Sequence, residues 1–268
     1  MEAPSLTAEL AARIERALNL GAESRIGSVG LLPGNPLGVE RRQWERVSAT
    51  LVRRDVLYYG YFNAIRGAGK GEEAHLDQAA AWLRSNGKHC GVSISPFDAD
   101  ESLLHHLAEC GLRQSRFMTV LYGVPAPRQT EGQAAAVEEV DSASDLFLGL
   151  WLEGAPEADR AFFRTLGQAE FRDWRCYVAF VEGRLAAHAC LYMREGVGVL
   201  ASAWTSTQAR GRGCQTALLR RRIADAAEAG CDLVVSQCVP GSQSQRNLER
   251  AGLRTAYTQA IWEDTRPA

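Results

Sequence analysis

The run Ala209-Arg210-Gly211-Arg212-Gly213-Cys214-Gln215-Thr216 combines the residue types that a phosphate-binding turn requires. Gly211 and Gly213 allow positive φ angles and a close approach of the backbone to a ligand. The first amides of a following helix lack internal partners, and the helix dipole favours an exposed anion there by about 0.3–1 kcal/mol. Arg210 and Arg212 add charge-assisted donors. The run predicts an anion site, with a basic solvated turn as the alternative.

The segments on either side of this run favour the anion site. A strand-like segment, Val197 to Thr205, precedes it, and a helix-like segment, Cys214 to Glu228, follows it. The apolar face of that helix comprises Leu219, Ile223, Ala226 and Ala227. The polar positions are Arg220, Arg221, Arg222, Asp225 and Glu228. A buried strand, Cys231 to Ser236, completes a strand–turn–helix–strand unit, which places the turn at a helix N-terminus.

The rest of the second half surrounds this unit with short elements. Its pattern predicts helices over Asp141–Leu152, Glu157–Glu170 and Ser242–Arg250, and strands over Cys176–Val181, Leu185–Met193 and Thr255–Trp262. Glu182-Gly183-Arg184 is typical of a hairpin turn. The order indicates an α/β (α+β) fold with mixed, mostly antiparallel sheets flanked by helices.

The first half ends in a similar way. Its pattern predicts helices over Leu6–Leu20 and Glu72–Asn86 and a third ending at Cys110, with strands over Ile26–Leu32, Val56–Ile65, His89–Ile94 and Phe117–Tyr122. Each half closes with a short helix, Gly-Leu and a strand, which indicates a diverged internal duplication. A Pro-containing linker, Gly123 to Gln133, divides the chain into modules 1–128 and 134–268.

Composition restricts the partners and the compartment. The net charge of −2 gives no support for a nucleic-acid partner, and no apolar run is long enough to span a membrane. The N-terminus has no apolar signal core, so we expect a cytoplasmic protein. Seven cysteines without C-x-x-C spacing are expected to be reduced thiols, and no metal is expected. His105 and His106 are adjacent on a helix, so their imidazoles diverge and do not share an ion.

The glycine run resembles the signature of the GNAT superfamily of N-acyltransferases. Arg210-Gly211-Arg212-Gly213-Cys214-Gln215 fits R/Q-x-x-G-x-G/A except at Gln215, where the family has Gly or Ala. The register Gln208 to Gly213 also satisfies the pattern. The resemblance covers about Ala135 to Glu263, and the first half resembles a degenerate copy without the signature. This implies two GNAT-like modules, of which the C-terminal one binds the acyl donor.

The resemblance implies acetyl-CoA as donor. Its pyrophosphate would bind the amides from Gly211 to Thr216, and its pantetheine arm would run beside Ala203, Trp204 and Thr205. A backbone N–H near Trp204 or Thr205 would polarise the thioester carbonyl. Asn247 would contact the donor or form a local cap. Gln215 places a side chain near the phosphates, to which it could donate a hydrogen bond.

The usual general acid of the family is absent. Relatives often place a tyrosine four residues before the glycine of the closing helix, where this chain has Leu248. Ser242, Ser244 and Tyr257 are possible substitutes, and of these we take Ser244 and Tyr257 as the candidate catalytic residues. The alternative interpretation is that Ser242 and Ser244 only cap the helix and that Tyr257 is a sheet residue.

The resemblance implies an N-acetyltransferase that transfers an acetyl group to a primary amine of a small molecule by direct attack. One alternative is an acyltransferase that takes its acyl group from an acyl carrier protein. The other is a non-catalytic CoA-binding regulatory protein, which Leu248 favours. No residue pattern specifies the acceptor, the acyl chain length or the oligomeric state.

Overall fold

The computed structural model describes residues 3–55, 59–127 and 135–264, and these residues form two compact units. The N-terminal unit comprises Thr7–Thr119 together with Tyr257–Ala268. The C-terminal unit comprises Val120–Ala256 together with Met1–Leu6. Each unit buries its own cluster of apolar side chains, so each has its own hydrophobic core.

The N-terminal unit is a mixed sheet with helices. Its elements in chain order are α1 (Ala8–Gly30), β1 (Val39–Trp44), β2 (Val47–Val52), α2 (Tyr59–Phe62), β3 (Ala64–Arg66), α3 (Glu73–Ser85), β4 (Gly91–Ile94), α4 (Glu101–Glu109) and β5 (Leu112–Gly123). The strand order is β1-β2-β3-β4, followed by the last strand of the chain, β11 (Arg254–Asp264). Only β3 and β4 among these neighbours are parallel.

The strands of the C-terminal unit are also mixed in direction. Its elements are β6 (Ala136–Val140), α5 (Asp145–Gly154), α6 (Arg160–Leu166), β7 (Trp174–Val181), β8 (Arg184–Arg194), β9 (Val197–Thr205), α7 (Cys214–Glu228), β10 (Leu233–Cys238) and α8 (Gln243–Arg250). The strand order is β5-β10-β9-β8-β7-β6, with β9 and β10 parallel and β6 to β9 antiparallel. The α/β class with mixed, mostly antiparallel sheets is confirmed.

Two long strands each contribute to both units. β5 leaves the N-terminal unit at Val120, and β11 enters that unit at Tyr257. There β11 pairs antiparallel with β4, from Ala260↔Ile94 to Glu263↔Gly91. These units differ from the expected modules 1–128 and 134–268, because one cut in the sequence cannot describe a chain whose last strand completes its first unit. Residues 128–133 of the expected linker lie outside the described residues.

The first half also differs from its predicted pattern near Ile26. The segment Ile26–Leu32, predicted as a strand, is largely helical, because α1 continues to Gly30. Ile26 and Val29 are buried on the same helix as Ile14 and Leu18. Packing of this apolar face therefore outweighs the local β propensity of the branched residues. The hairpin of β1 and β2 was not predicted.

No helix in the described part of the chain combines the length and the apolar character needed to cross a bilayer.

Candidate functional site

Strand β9 carries a bulge near its end. The register with β8 pairs Cys190 with Ala201 but His188 with Trp204, so β9 has one residue more than β8 in this interval. Ser202, in the extra stretch, has a φ of 51°, in the left-handed region. A bulge of this kind bends the strand and increases its twist.

Strands β9 and β10 separate near the bulge. Their parallel pairing ends at Val235↔Val199. Just beyond, the buried Ser236 hydroxyl donates to the Leu200 carbonyl at 2.8 Å. Within the described strands, the Ser236 side chain thus makes the contact that a backbone hydrogen bond between β10 and β9 would otherwise make. Beyond this point the two strands diverge. The end of β9 has an open backbone edge on this side.

The register assigns the amide of Thr205 to that open edge. The Ser206 amide donates to the Ala186 carbonyl of β8 at 2.9 Å. Successive residues of a strand direct their N–H groups to opposite edges, so the Thr205 amide points away from β8. The Trp204 amide, one residue earlier, points toward β8, where Trp204 pairs with His188.

A buried arginine donates hydrogen bonds to backbone carbonyls at the bulge. Arg222 of α7 is 1% exposed, and its Nη1 donates to the Cys190 carbonyl at 3.0 Å and the Ala201 carbonyl at 3.3 Å. Burial lowers the pKa of Arg222 to about 10, so the guanidinium remains charged at neutral pH. The sequence pattern placed Arg222 and Asp225 on a polar face, and this was wrong, because both are buried. Asp225 accepts from the Tyr177 hydroxyl at 2.8 Å.

The glycine run forms a turn into α7, as expected. Thr207–Ala209 is a 3-10 turn, and Gly211 and Gly213 have φ of 78° and 80°. Gly213 is the N-cap and provides no side-chain cap, and the helical ladder begins with Ala217 N donating to Gly213 O at 3.0 Å. The amides of the first turn, Cys214 to Thr216, therefore have no intrahelical acceptor. Unsatisfied amides at a helix N-terminus are groups that can donate to an anion.

The two arginines of the turn differ in their surroundings. Arg212 forms an ion pair with Glu182 in the β7–β8 turn, and this partner lowers the pKa of the Glu182 carboxyl. Arg210 is exposed, and among the described residues its guanidinium has no ion-pair or hydrogen-bond partner, although its backbone amide donates to the Thr207 carbonyl. Arg210 thus provides an exposed positive charge beside the first turn of α7.

The side chains of Gln215 and Cys214 both contact other parts of the protein. The Gln215 Nε2 donates to the Thr205 Oγ1 at 2.8 Å, so this amide links α7 to the end of β9. The hydrogen bond that Gln215 could donate to a phosphate stays a prediction. Cys214 is 2% exposed, and burial raises the pKa of its thiol, so its side chain is part of the core.

The residues of α8 provide one exposed hydroxyl. Leu248 is 3% exposed and belongs to the core of the C-terminal unit. Ser244 is exposed in the first turn of α8, whereas the capping contact is made by Ser242, whose Oγ accepts from the Gln245 amide. Asn247 Oδ1 accepts from the side chains of Gln243 and Arg250 on the same helix. In this structure Asn247 therefore makes local contacts within α8.

Tyr257 belongs to the N-terminal unit. Its hydroxyl donates to Glu15 Oε1 at 2.7 Å, and Gln259 Nε2 donates to the same carboxylate. Burial, together with Glu15, raises the pKa of Tyr257 well above that of a free tyrosine. The structure therefore does not place Tyr257 among the residues of the β9–α7 site. The sheet-residue interpretation applies to it, because β11 completes the other unit.

Aromatic side chains cover the bulge on the side of α5. Trp204 stacks on His188 with ring centroids 6.0 Å apart, and Phe147 of α5 meets His188 edge-on at 5.2 Å. A Cβ added to Gly154, at the end of α5, would lie 3.0 Å from Trp204 Nε1. The indole is thus held between β8 and α5. The rings of Trp204, His188 and Phe147 thus form an aromatic wall. The sequence pattern assigned Trp204 only a backbone role and did not predict this wall.

The N-terminal unit has a polar cavity of about 370 Å³. Its lining includes Arg66 and Gly67 after the parallel pairing of β3, and Ser93 and Ser95 at the end of β4. Glu15 also lines it, and burial raises the pKa of this carboxyl. This cavity lies beyond the short parallel pairing of β3 and β4.

Comparisons with known proteins agree with this geometry. The sequence model of the acetyltransferase (GNAT) family matches residues 143–252. No curated protein sequence gives a significant match. Similar solved structures include a GCN5-related N-acetyltransferase from Kribbella flavida, 17% identical over 96% of both chains with a TM-score of 0.68. Another, from Sphaerobacter thermophilus, is 16% identical over 100% of this chain and 96% of that chain, with a TM-score of 0.59.

A tandem GNAT protein from the clavulanic acid biosynthesis pathway is similar over 98% of both chains, with 15% identity and a TM-score of 0.59. At these identities the likeness shows a shared fold. The matched residues 143–252 include the bulged strand, the glycine turn and α8. Residues 143–252 therefore match the model of the GNAT acetyltransferase family, and the chain as a whole shares the fold of these solved GNAT structures.

Proposed function

We propose that this protein transfers an acetyl group from acetyl-CoA to a primary amine of a small molecule. The observation that carries the proposal is the position of the α7 N-terminus beside the gap between β9 and β10. One end of that gap offers amides to an anion, and its edge offers a strand to an extended ligand. Acetyl-CoA carries a pyrophosphate and a pantetheine amide chain, which match these two features. The seven free cysteines support a cytoplasmic location.

The donor would be held by backbone groups. The pyrophosphate would lie on the amides from Gly213 to Thr216, with Arg210 as the nearby cation. The pantetheine arm would pair with β9 beside Ala203 and Thr205, because this edge is open beyond Val199. Backbone binding of this kind tolerates side-chain variation, which explains how Gln215 can replace a small residue.

The amide of Thr205 would polarise the thioester carbonyl. It faces the gap, whereas the Trp204 amide faces β8, so the register favours Thr205 of the two candidates. A donor fixed in advance stabilises the charge that develops on the carbonyl oxygen. The acceptor amine, once deprotonated, bonds to the carbonyl carbon, and the C–S bond breaks. The attacking nitrogen loses one proton and the leaving sulfur takes one up, and Ser244 is our candidate relay for this transfer.

The acceptor would approach from the aromatic side. Trp204 is partly exposed, and its ring is stacked on His188. An indole face attracts an ammonium group by roughly 0.5–2 kcal/mol, depending on desolvation. This wall therefore supports an amine acceptor of low molecular weight. Deprotonation of the ammonium must precede attack, so turnover should rise with pH toward the amine pKa.

The test of the donor site is Gly213→Asp, with Gly230→Asp as matched control. Both glycines have φ of 80°, and they lie at opposite ends of α7. The two variants therefore introduce similar backbone strain. Gly213→Asp places a carboxylate against the pyrophosphate, so we expect CoA affinity in calorimetry to fall more than tenfold. Gly230→Asp should retain the affinity.

Equal CoA affinity in both variants would refute the anion site. Turnover is measured separately with acetyl-CoA and with acyl carrier protein donors over a panel of amines. Transfer from the carrier alone would identify the carrier-protein acyltransferase. Tight CoA binding without any transfer would favour the regulatory protein, for which the buried Leu248 is the structural argument.

A further inference from the structure

Three different metal-ligating side chains converge between α3 and α4 of the N-terminal unit. Asp77 lies on α3, His106 lies on α4, and Cys110 follows α4 directly. Asp77 Oδ1 is 2.9 Å from His106 Nε2 and 3.0 Å from Cys110 Sγ. His106 Nε2 and Cys110 Sγ are 3.3 Å apart. The three donor atoms thus form a compact triangle.

The sequence arranges two of these ligands locally. His106 and Cys110 are four residues apart, so one helical turn places them on the same face. The Cys110 amide donates to the His106 carbonyl at 2.9 Å, so α4 geometry continues to the cysteine. Asp77, which is 29 residues before His106, arrives only through the packing of α3 on α4.

The packing that brings Asp77 to this place is rigid. Leu76 and Leu83 of α3 and Leu103 and Leu107 of α4 are fully buried in one cluster. Arg84 of α3 also donates to the Cys110 carbonyl at 2.7 Å. A rigid frame lowers the entropic cost of gathering three ligands around an ion.

Arg84 is itself fixed by a buried partner. Its Nε lies 2.8 Å from Asp264 Oδ2, and the Asp264 side chain is only 3% exposed. This ion pair holds the end of β11 and the end of α4 in one arrangement. The backbone position of Cys110 is therefore set independently of its thiol.

The distances fit a small tetrahedral ion. Zinc bonds of about 2.0–2.3 Å at tetrahedral angles separate donor atoms by about 3.3–3.6 Å. The triangle observed here is narrower by a few tenths of an ångström, which small side-chain rotations can supply. Asp77 and His106 have side chains 49% and 25% exposed, so an ion and a water ligand can enter from solvent.

We propose that Asp77, His106 and Cys110 form a zinc site with one coordination position open to water. A thiolate, an imidazole and a carboxylate are the ligands that Zn²⁺ takes in proteins. The site lies in the unit without the glycine signature, and it cross-links two helices. Its effect is to stabilise that unit by binding the folded state.

A second group in the same unit provides a contrast. Glu45, Glu72 and His75 also bring donor atoms together. There, however, the Arg46 guanidinium lies 2.9 Å from Glu72 and its charge opposes a cation. That group also lacks a thiolate, so it should not give a sulfur-to-metal transition.

The test is a cobalt titration of the full chain after chelation and reduction. We expect one equivalent of Co²⁺ to give a tetrahedral spectrum with a thiolate charge-transfer band, and Zn²⁺ to displace it. Cys110→Ser should lose the charge-transfer band. His106→Ala and Asp77→Asn should each weaken Co²⁺ binding more than about tenfold. Loss of a residue that only hydrogen-bonds to a metal ligand already weakens metal affinity by about tenfold or more. Zinc should raise the melting temperature of the wild type but not that of Cys110→Ser, His106→Ala or Asp77→Asn.

Matched controls separate this site from unspecific binding. His105→Ala removes the adjacent imidazole of the same helix, and Cys231→Ser removes another accessible thiol, so both should bind Co²⁺ as the wild type does. Circular dichroism verifies that each variant is folded. Absence of the charge-transfer band in the wild type, its persistence in Cys110→Ser, or equal losses in His105→Ala and His106→Ala would each overturn the proposal.

Discussion

Gln215 shows how one residue can depart from a family pattern and acquire another contact. The pattern has Gly or Ala here, and this chain places an amide that donates to Thr205 Oγ1 at 2.8 Å. The bond joins the first turn of α7, which would hold the pyrophosphate, to the residue whose amide would polarise the carbonyl. Gln215 is thus a positioning residue in the proposed reaction.

Gln215→Ala should lower kcat about three- to tenfold and change the KM for acetyl-CoA less, because roughly 1 kcal/mol of positioning is lost while the phosphate amides remain. Thr205→Val removes the acceptor of the same bond, and Thr205→Ser retains it. A steady-state double-mutant cycle measures the coupling. If the effects of Gln215→Ala and Thr205→Val are additive, the bond has no role in positioning.

At the scale of elements, α7 and β9 depend on each other. The bulge leaves the carbonyls of Cys190 and Ala201 to be satisfied by Arg222, and α7 supplies that guanidinium through a buried position. A charged residue in the core is costly unless its donors are used. Here the donors support the bend that opens the gap beside β10.

Arg222→Met should destabilise the protein by about 2–4 kcal/mol, because buried carbonyls at the bulge lose their donor. Denaturant unfolding followed by circular dichroism measures this change. Arg220→Met, on the exposed side of the same helix, should change stability by less than about 0.5 kcal/mol. A loss no larger for Arg222→Met than for Arg220→Met would show that the bulge does not need the arginine.

At the scale of the whole molecule, each unit is completed by a segment distant in sequence. β11 pairs with β4 in the N-terminal unit, where the Ser115 hydroxyl donates to the Ile261 carbonyl and Asp264 holds Arg84. Without this strand, β4 would expose an unpaired edge. The stability of the N-terminal unit therefore depends on the end of the chain.

Deletion of residues 257–268 should remove protection from amide exchange throughout α3, β4 and α4, since the core of the N-terminal unit loses one strand. Hydrogen exchange with mass spectrometry locates the loss. A chain that ends at Asp264 retains β11 and is the control. Retained protection of β4 in the shorter chain would contradict the strand's contribution to this unit.

The sequence by itself determined the order of most elements and the glycine turn of the site. Periodicity predicted α7 from Cys214 to Glu228 with its correct ends, because helix faces and glycine caps are local signals. The same local signals failed at Ile26, where burial within α1 prevailed over strand propensity.

Only the tertiary structure decided which residues meet. In the structure, Arg222 is buried against the bulge, and Gln215 donates to Thr205. Tyr257 lies in the N-terminal unit, and Asp77 lies next to His106 and Cys110. Each of these contacts joins different elements of the chain. Their formation depends on packing and burial, which no window of the sequence contains.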